Sequence, residues 1–332
     1  MSPAQSRNHV IRQPIMVAGL ATLMLAAFAL ALATGADGLV ITAPADAWST
    51  ILLEVRLPRA VLGLLVGGAL GLSGAVLQGY LRNPLAEPGI MGISGGAALG
   101  AVISIHSGIA STLALALPLA GLMGAGVATA LLTALAGRRT GAVTLILAGV
   151  AVSSLAAALT ALALNLAPNP FAASEMLYWL MGSLTDRSLL HVWMAAPLIV
   201  IGSTLLLATA RSLDGLSLGE AVAQNLGVDL AALRWRVIAG TALSVGAATA
   251  VCGSIAFVGL VVPHLLRPWV GYEPSRLLIP SFLAGAALVL LADVALRLMS
   301  PLGDLRLGVL TALIGAPFFL WLVLKTRTEL AP

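Results

Sequence analysis

Few residues in this chain are equipped for chemistry. Its 332 residues include one Lys, Lys325, one Cys, Cys252, and four His. A P-loop, G-x-x-x-x-G-K-[ST], needs a Lys to reach the β- and γ-phosphates of a nucleotide. Lys325 follows Val323-Leu324 and precedes Thr326, so the chain has no P-loop and no ATPase activity is expected of it. If ATP drives any process here, a separate subunit must hydrolyse it. One Cys can neither form an internal disulfide nor build a thiolate metal site. His264-Leu265-Leu266-Arg267-Pro268 lacks both the acid and the second His of a zinc-protease helix, so no metal site is expected. Gly71-Leu72-Ser73-Gly74 and Gly92-Ile93-Ser94-Gly95 both match the G-x-S-G of intramembrane serine proteases, which also require a His base within hydrogen-bond reach. Only His264 lies well inside an apolar segment, and two matches in Gly/Ser-rich helices read more simply as packing. No catalytic residue is expected.

The charged residues narrow the choice further. Ion-coupled carriers bury ionisable groups in mid-span as proton or sodium sites. Here every acid but Asp293 falls at a helix end or in a loop. Asp293 has Arg297 at i+4 and is expected to pair with it rather than relay protons. Asn165 and His264 are the other polar candidates, with His264 expected to bond a backbone carbonyl beside the kink at Pro263. Arg56, Arg59 and Arg297 are more telling. In Arg56-Leu57-Pro58-Arg59, Pro58 suits a first helical turn, which would set both guanidiniums at a rim. The plain reading is snorkelling to the membrane interface. The functional reading is a ring that captures carboxylates of a soluble partner, for which Arg's forked geometry is suited.

The elements that position these residues are helices in lipid. Charged residues are 9% of the chain and apolar ones 60%, with a mean hydropathy of +1.05. A soluble domain carries about 25% charge, so a soluble enzyme and a disordered chain are both excluded. A net charge of +4 reflects basic loops rather than a nucleic-acid surface. Segments long enough to span a bilayer are predicted at about 14–34, 57–80, 88–106, 112–136, 142–166, 190–210, 235–253, 255–271, 278–298 and 307–325. The predicted break within 235–271 falls near Cys252-Gly253-Ser254. The first segment is read as an uncleaved helix rather than a signal peptide. With a cytoplasmic N-terminus, twelve basic residues lie inside and five (Arg56, Arg59, Arg187, Arg297, Arg306) outside, placing both termini in the cytoplasm. Glycines within the spans are expected at close helix crossings, and some at bends.

Two connections stand out. Residues 167–189 hold a short apolar stretch, Met176–Leu184, too short to span and expected as a surface helix. Residues 211–234 are predicted to form a structured knob. Ser217-Leu218-Gly219-Glu220 reads as a capping box, a short helix runs to about Asn225, and Gly227 stops it. Asp229 then caps a second short helix leading to Trp235. The knob either lies flat on headgroups or docks a cytoplasmic partner.

Several stretches in order carry a family resemblance: Arg56-Leu-Pro-Arg59, Gly68-Ala-Leu-Gly-Leu-Ser-Gly-Ala-Val-Leu-Gln78, Asn83-Pro-Leu-Ala-Glu-Pro88, Leu218-Gly-Glu220 with Leu226-Gly227, Phe257-Val-Gly-Leu-Val-Val-Pro-His264, Ala292-Asp293 with Arg297, and Gly315-Ala-Pro317. From about residue 14 to 327 the chain resembles the FecCD-type permease subunits of ABC importers for vitamin B12, ferric siderophores and haem. The resemblance implies an all-α, polytopic type II ABC importer permease of about ten transmembrane helices in the bacterial inner membrane. Residues 1–332 would form a single transmembrane domain, with cytoplasmic coupling helices at about 213–234. It further implies a homodimer with two cytoplasmic ATPase subunits, a periplasmic substrate-binding protein, and cargo moving along the dimer axis by alternating access. No nucleic acid is involved; the chain holds no cofactor, and ATP and Mg belong to the ATPase.

By the same resemblance Arg56, Arg59 and Arg297 dock the binding protein. Gly219, Glu220, Ala221, Leu226 and Gly227 couple to the ATPase. Thr140, Gly141, Ala142, Val143 and Thr144 correspond to the cytoplasmic gate, less hydroxylated here than in the B12 member. The overall string resembles the haem-importing branch most, so haem is the expected cargo, with a ferric siderophore or cobalamin as the alternative.

Overall fold

The computed structural model describes residues 3–35, 38–39, 45–113, 115–137, 141–299 and 305–330. Fifteen α-helices account for nearly all of them: α1 Pro3–Ala33, α2 Ala45–Thr50, α3 Leu57–Tyr80, α4 Ile93–His106, α5 Ile109–Thr112, α6 Ala116–Ala136, α7 Ala142–Asn165, α8 Pro170–Leu180, α9 Leu189–Leu207, α10 Ala210–Ser217, α11 Glu220–Asn225, α12 Leu230–Cys252, α13 Val258–Leu266, α14 Pro274–Met299 and α15 Leu307–Leu330. A two-residue antiparallel pair, Thr34–Gly35 with Gly38–Leu39, is the strand content among the described residues. Among the described residues, seven helical segments are long and apolar enough to cross a membrane, and three shorter apolar helices, Ile93–His106, Val258–Val270 and Leu307–Leu322, bring the set to ten. They fall on the ten predicted segments.

Glycine sets where helices break and how closely they pack. α12 stops at Cys252 because Gly253 adopts φ 73°, which forbids a further helical turn. This is the predicted break. Elsewhere glycine permits backbone contact. A Cβ on Gly71 would sit 2.1 Å from the Ser281 carbonyl oxygen, and one on Gly74 would sit 1.9 Å from that of Gly259. Gly67 and Gly285 interlock in the same way across α3 and α14, as do Gly96 and Gly124 across α4 and α6. In lipid no water-exclusion term joins two helices, so dispersion at such close crossings supplies the attraction. α3 is accordingly the central post, apolar-packed along most of its length.

The sequence reading misplaces some local detail. The helix bearing Arg56 does not begin there: a π-helical turn, Ile51–Arg56, runs directly into α3, so Pro58 lies in the first turn of α3 but not at a free helix start. The 167–189 connection does hold a short helix, but it spans Pro170–Leu180 rather than Met176–Leu184, because the Asn169 side chain caps it early, accepting from the Ala172 N–H at 2.8 Å.

Candidate functional site

Arg56, Arg59 and Arg297 meet at one end of the bundle, where α1 ends, α3 begins and α14 ends. The carboxylate of Asp293, 2% exposed, lies between two of them. Arg59 grips it through Nε at 3.0 Å to both oxygens and through Nη2 at 2.8 Å. Arg297 donates to the same carboxylate through Nε at 3.0 Å and Nη2 at 2.5 Å. Its remaining Nη1 donates to the Ala31 and Thr34 carbonyls at 2.8 and 2.7 Å. Arg56 donates to Leu32 O and Ala33 O at 3.0 and 3.1 Å and lies over the Trp48 ring. Four successive carbonyls at the C-terminus of α1 thus receive guanidinium donors. Those carbonyls have no helical partner and carry the negative end of the helix dipole, so cations belong there.

This geometry corrects the expectation of three outward-facing arginines. Arg56 and Arg297 are buried, and Arg59 alone of the three keeps a partly exposed side chain. The pairing of Asp293 with Arg297 is as expected; its second partner, Arg59, lies 234 residues away and has no local signal.

Two further polar contacts escaped the sequence reading. Pro263 lacks an N–H, so the Gly259 carbonyl, four residues earlier in α13, loses its helical donor. The buried Gln78 side chain replaces it, donating to Gly259 O at 3.3 Å and Leu260 O at 3.2 Å. Its oxygen accepts from Arg267 at 2.6 Å. A lone Gln near the end of an otherwise apolar helix was the available signal. The Glu87 carboxyl meets the Phe257 backbone N–H; burial raises its pKa above the usual carboxylate value, and that hydrogen bond partly opposes the rise.

The knob forms at the opposite end, with altered boundaries. The capping box is absent: Ser217 ends α10, and its hydroxyl bonds Asp214 O at 2.6 Å. α10, which the sequence reading did not place, occupies the stretch before Gly219, which at φ 106° turns the chain into α11. Gly227 at φ 83° ends that turn of structure as expected. Asp229 accepts from the Ala231 and Ala232 N–H groups at 2.9 and 3.0 Å, but it caps the long α12 rather than a separate short helix. Glu220 faces Arg82 at 3.7 Å, both half-exposed. Asp214 accepts from the Ser275 N–H at 2.9 Å, fastening α10 to the first turn of α14.

A cavity of about 530 Å³ lies beside the knob, lined among others by Tyr80, Gly141, Ala142, Leu216, Glu220 and Arg234. The expected gate segment and the expected coupling residue Glu220 therefore share one space. Gly141 is extended and Ala142 opens α7, followed by Val143 and Thr144; Thr140 lies outside the described residues. Gly219, Ala221, Leu226 and Gly227 do not line this cavity. Ala221, Leu226 and Gly227 face outward instead, with Leu218, Val222 and Leu226 leaving an apolar surface.

Residues 14–325 match the model of the FecCD transport family. The chain belongs to the FecCD transport family. It is 38% identical over 316 residues to the vitamin B12 import system permease protein BtuC of Citrobacter koseri, covering 94% of each chain. It is likewise 38% identical over 312 residues to BtuC of an Escherichia coli strain, covering 92% of this chain and 94% of the relative. A solved structure of a metal-chelate type ABC transporter in an inward-facing conformation aligns with a TM-score of 0.85 at 34% identity, over 94% of this chain and 99% of the other. The fold is thus that of a type II ABC importer permease.

The Ser73 hydroxyl is buried against that of Ser244 at 3.2 Å, and Ser244 donates to Gly240 O at 2.6 Å. Two hydroxyls bridging α3 and α12 are a packing contact with no base. His264 stands edge-on to Phe318, with ring centroids 5.9 Å apart. Among the described residues no group of three His, Cys, Asp or Glu side chains is placed to hold a metal. The relatives named above are vitamin B12 import permeases, where the sequence reading expected a haem importer.

Proposed function

We propose that this FecCD permease, paired with a second copy of itself, forms the membrane pathway of an ATP-driven importer for a cobalamin-class corrinoid. The observation that carries the reading is its whole-length 38% identity to vitamin B12 import permeases. The excess of basic residues on the knob side supports a cytoplasmic knob and cytoplasmic termini in a bacterial inner membrane. Leu218 and Leu226, each 64% exposed, give the knob an apolar face of the kind a protein partner covers. That partner is a separate ATPase subunit, which holds ATP and Mg. The arginine end then faces the periplasm, where Arg59 is the exposed member available to a binding protein's carboxylates. Tyr80, Gly141 and Glu220 around a common cavity give a route by which knob movement reaches the gate.

The test is reconstitution in proteoliposomes with cognate ATPase and binding protein. ATP-dependent accumulation of labelled cyanocobalamin is expected. Uptake by the permease alone under an ion gradient would overturn the importer reading. The metal-chelate relative supports a second cargo, an iron chelate such as haem; uptake of haemin in preference to cyanocobalamin would select it.

A further inference from the structure

Away from the arginine cluster and the knob, a cavity of about 540 Å³ lies between α4, α6 and α7. On α6 its lining residues recur every three or four positions from Ala116 to Leu131, on α4 from Gly96 to Ser107, and on α7 from Val152 to Leu159. Such spacing follows one stripe of each helix, so the cavity is a groove along the helices and not a chamber across them. Glycine keeps its floor low. A Cβ on Gly100 would sit 2.1 Å from Ala120 O, and one on Gly124 would sit 2.1 Å from Gly96 O, so α4 and α6 meet there through backbone. Ile103, Met123, Val127 and Leu155 stand exposed along the groove as its walls.

Its dimensions and polarity select an occupant. From Ala116 to Leu131 at 1.5 Å per residue, the groove is about 22 Å long. A volume of 540 Å³ spread over that length leaves a width of about 5–6 Å, half the 10–12 Å of a helix with its side chains. A helix of a second copy is too thick for it, whereas a single hydrocarbon chain fits. Ser104 and Ser107 are the polar side chains of the lining, and both lie where α4 ends, across from the first turn of α6. The Ser104 hydroxyl is buried with no hydrogen-bond partner, and Ser107 donates to Ser104 O at 3.2 Å. Arg234, near the start of α12, donates to Gly137 O just beyond the other end of α6. The serine end is therefore the end of the bundle away from the knob. The lining stops at Leu131, five residues before α6 ends at Ala136.

We infer that this groove holds one acyl chain of a membrane phospholipid, with the ester end at Ser104 and Ser107 and the methyl end toward Leu131. Lipid tails are as apolar as the walls, so water exclusion gives no preference for this groove over the rest of the lipid-facing surface. The preference comes from dispersion contacts on three sides of one chain, where a flat helix face offers contacts on one. The groove is also longer than one leaflet's share, about 15 Å, of the hydrocarbon core. A chain seated in it is thus guided past the midplane of the bilayer.

The test uses the full chain in vesicles of phosphatidylethanolamine and phosphatidylglycerol. These carry a trace of phosphatidylethanolamine with a photoactivatable diazirine, placed either early in one acyl chain or at its methyl end. Labelled peptides are mapped after illumination. Groove peptides should carry about tenfold more label than the exposed apolar face of α9 at Ile201. The early probe should label near Leu113 and Leu119, and the methyl-end probe near Leu131 and Val152. Ala120→Phe should bring groove labelling down to the level of α9 and leave α9 labelling unchanged. Val127→Trp, made at an exposed wall position that spares the core packing, should do the same. Equal labelling of groove and α9, a reversed order of the two probes, or undiminished groove labelling in both variants would overturn the site. Met123→Cys checks for a second copy as occupant, since the native Cys252 is buried. Oxidative cross-linking of Met123→Cys between two chains, with the groove unlabelled by lipid, would also overturn it. Because the readout is lipid contact, its failure is distinct from failure of the proposed transport function.

Discussion

Asp293→Ala tests whether the arginine cluster is a structural lock. The carboxylate accepts three contacts from Arg59 and two from Arg297, all at 3.0 Å or less. Its loss affects the two arginines differently. Arg59, with 17% of its side chain exposed, can rehydrate. Arg297 has 5% exposed and cannot, although it keeps the Ala31 and Thr34 carbonyls. Removing one member of a buried ion pair costs about 3–5 kcal/mol, most of it the uncompensated charge left behind. On that reasoning Arg59→Gln should cost only about 1 kcal/mol, since the rest of the cluster stays neutralised. Arg297→Met added to Asp293→Ala should cost less than the two singles summed, by about 2–3 kcal/mol. The assay is equilibrium unfolding in mixed micelles, followed by the fluorescence of the six tryptophans. A cost below about 1 kcal/mol for Asp293→Ala, or additivity within about 0.5 kcal/mol in the double variant, would refute the lock.

Gly74→Ala should destabilise by at least about 1–3 kcal/mol, because its Cβ would meet the Gly259 carbonyl, whereas Gly126→Ala, with open space around it, should be neutral or slightly stabilising in the same unfolding assay. Gln78→Leu leaves the Gly259 carbonyl and Arg267 without their side-chain partner and should cost about 2–4 kcal/mol, and Gln78→Glu should restore less than wild type because it lacks the amide donors. Glu87 has a raised folded-state pKa, so its protonated form favours the fold; stability should fall as pH rises from the unfolded carboxylate value through the folded one, and Glu87→Gln should remove that slope and raise stability at pH 7, as read by thermal unfolding across pH 4 to about 8.

The legible part of this fold follows from the membrane. With no water to satisfy backbone groups, apolar runs must be helical, so ten helices and the Gly253 break could be read from the order of residues, and a short helix in the 167–189 connection could be read without its bounds. Local capping was only half legible. Asp229 and Gly227 act as read, but Ser217 does not cap, because α10 runs through it and its hydroxyl finds Asp214 O instead. What stayed hidden was pairing through space. Arg59 and Asp293, Gln78 and Arg267, and Asp214 and Ser275 are separated by 234, 189 and 61 residues, and no periodicity links them. Charge read from order alone therefore selected Arg56, Arg59 and Arg297 as an outward ring, where the fold commits all three to Asp293 and the α1 carbonyls.

Those hidden pairs converge on α14. Asp214 of the knob holds its first turn through the Ser275 N–H, and Asp293 near its last turn holds α1 and α3 through two arginines. The two anchors are 18 positions apart, about 27 Å of helix at 1.5 Å per residue. Along that length Gly285 and Ser281 meet Gly67 and Gly71 backbone to backbone, with no flexible side chain to absorb a shift. A displacement of the knob is thus passed to α14 through a hydrogen bond to its backbone rather than through a loop. Because α3 is interlocked with α14, the two must move as one unit or unpack their glycines. Rigid movement is the cheaper course, since parting them would forfeit the close-packed contacts that hold helices together in lipid. The fold therefore links the knob to the arginine cluster through one interlocked pair of helices, α3 and α14.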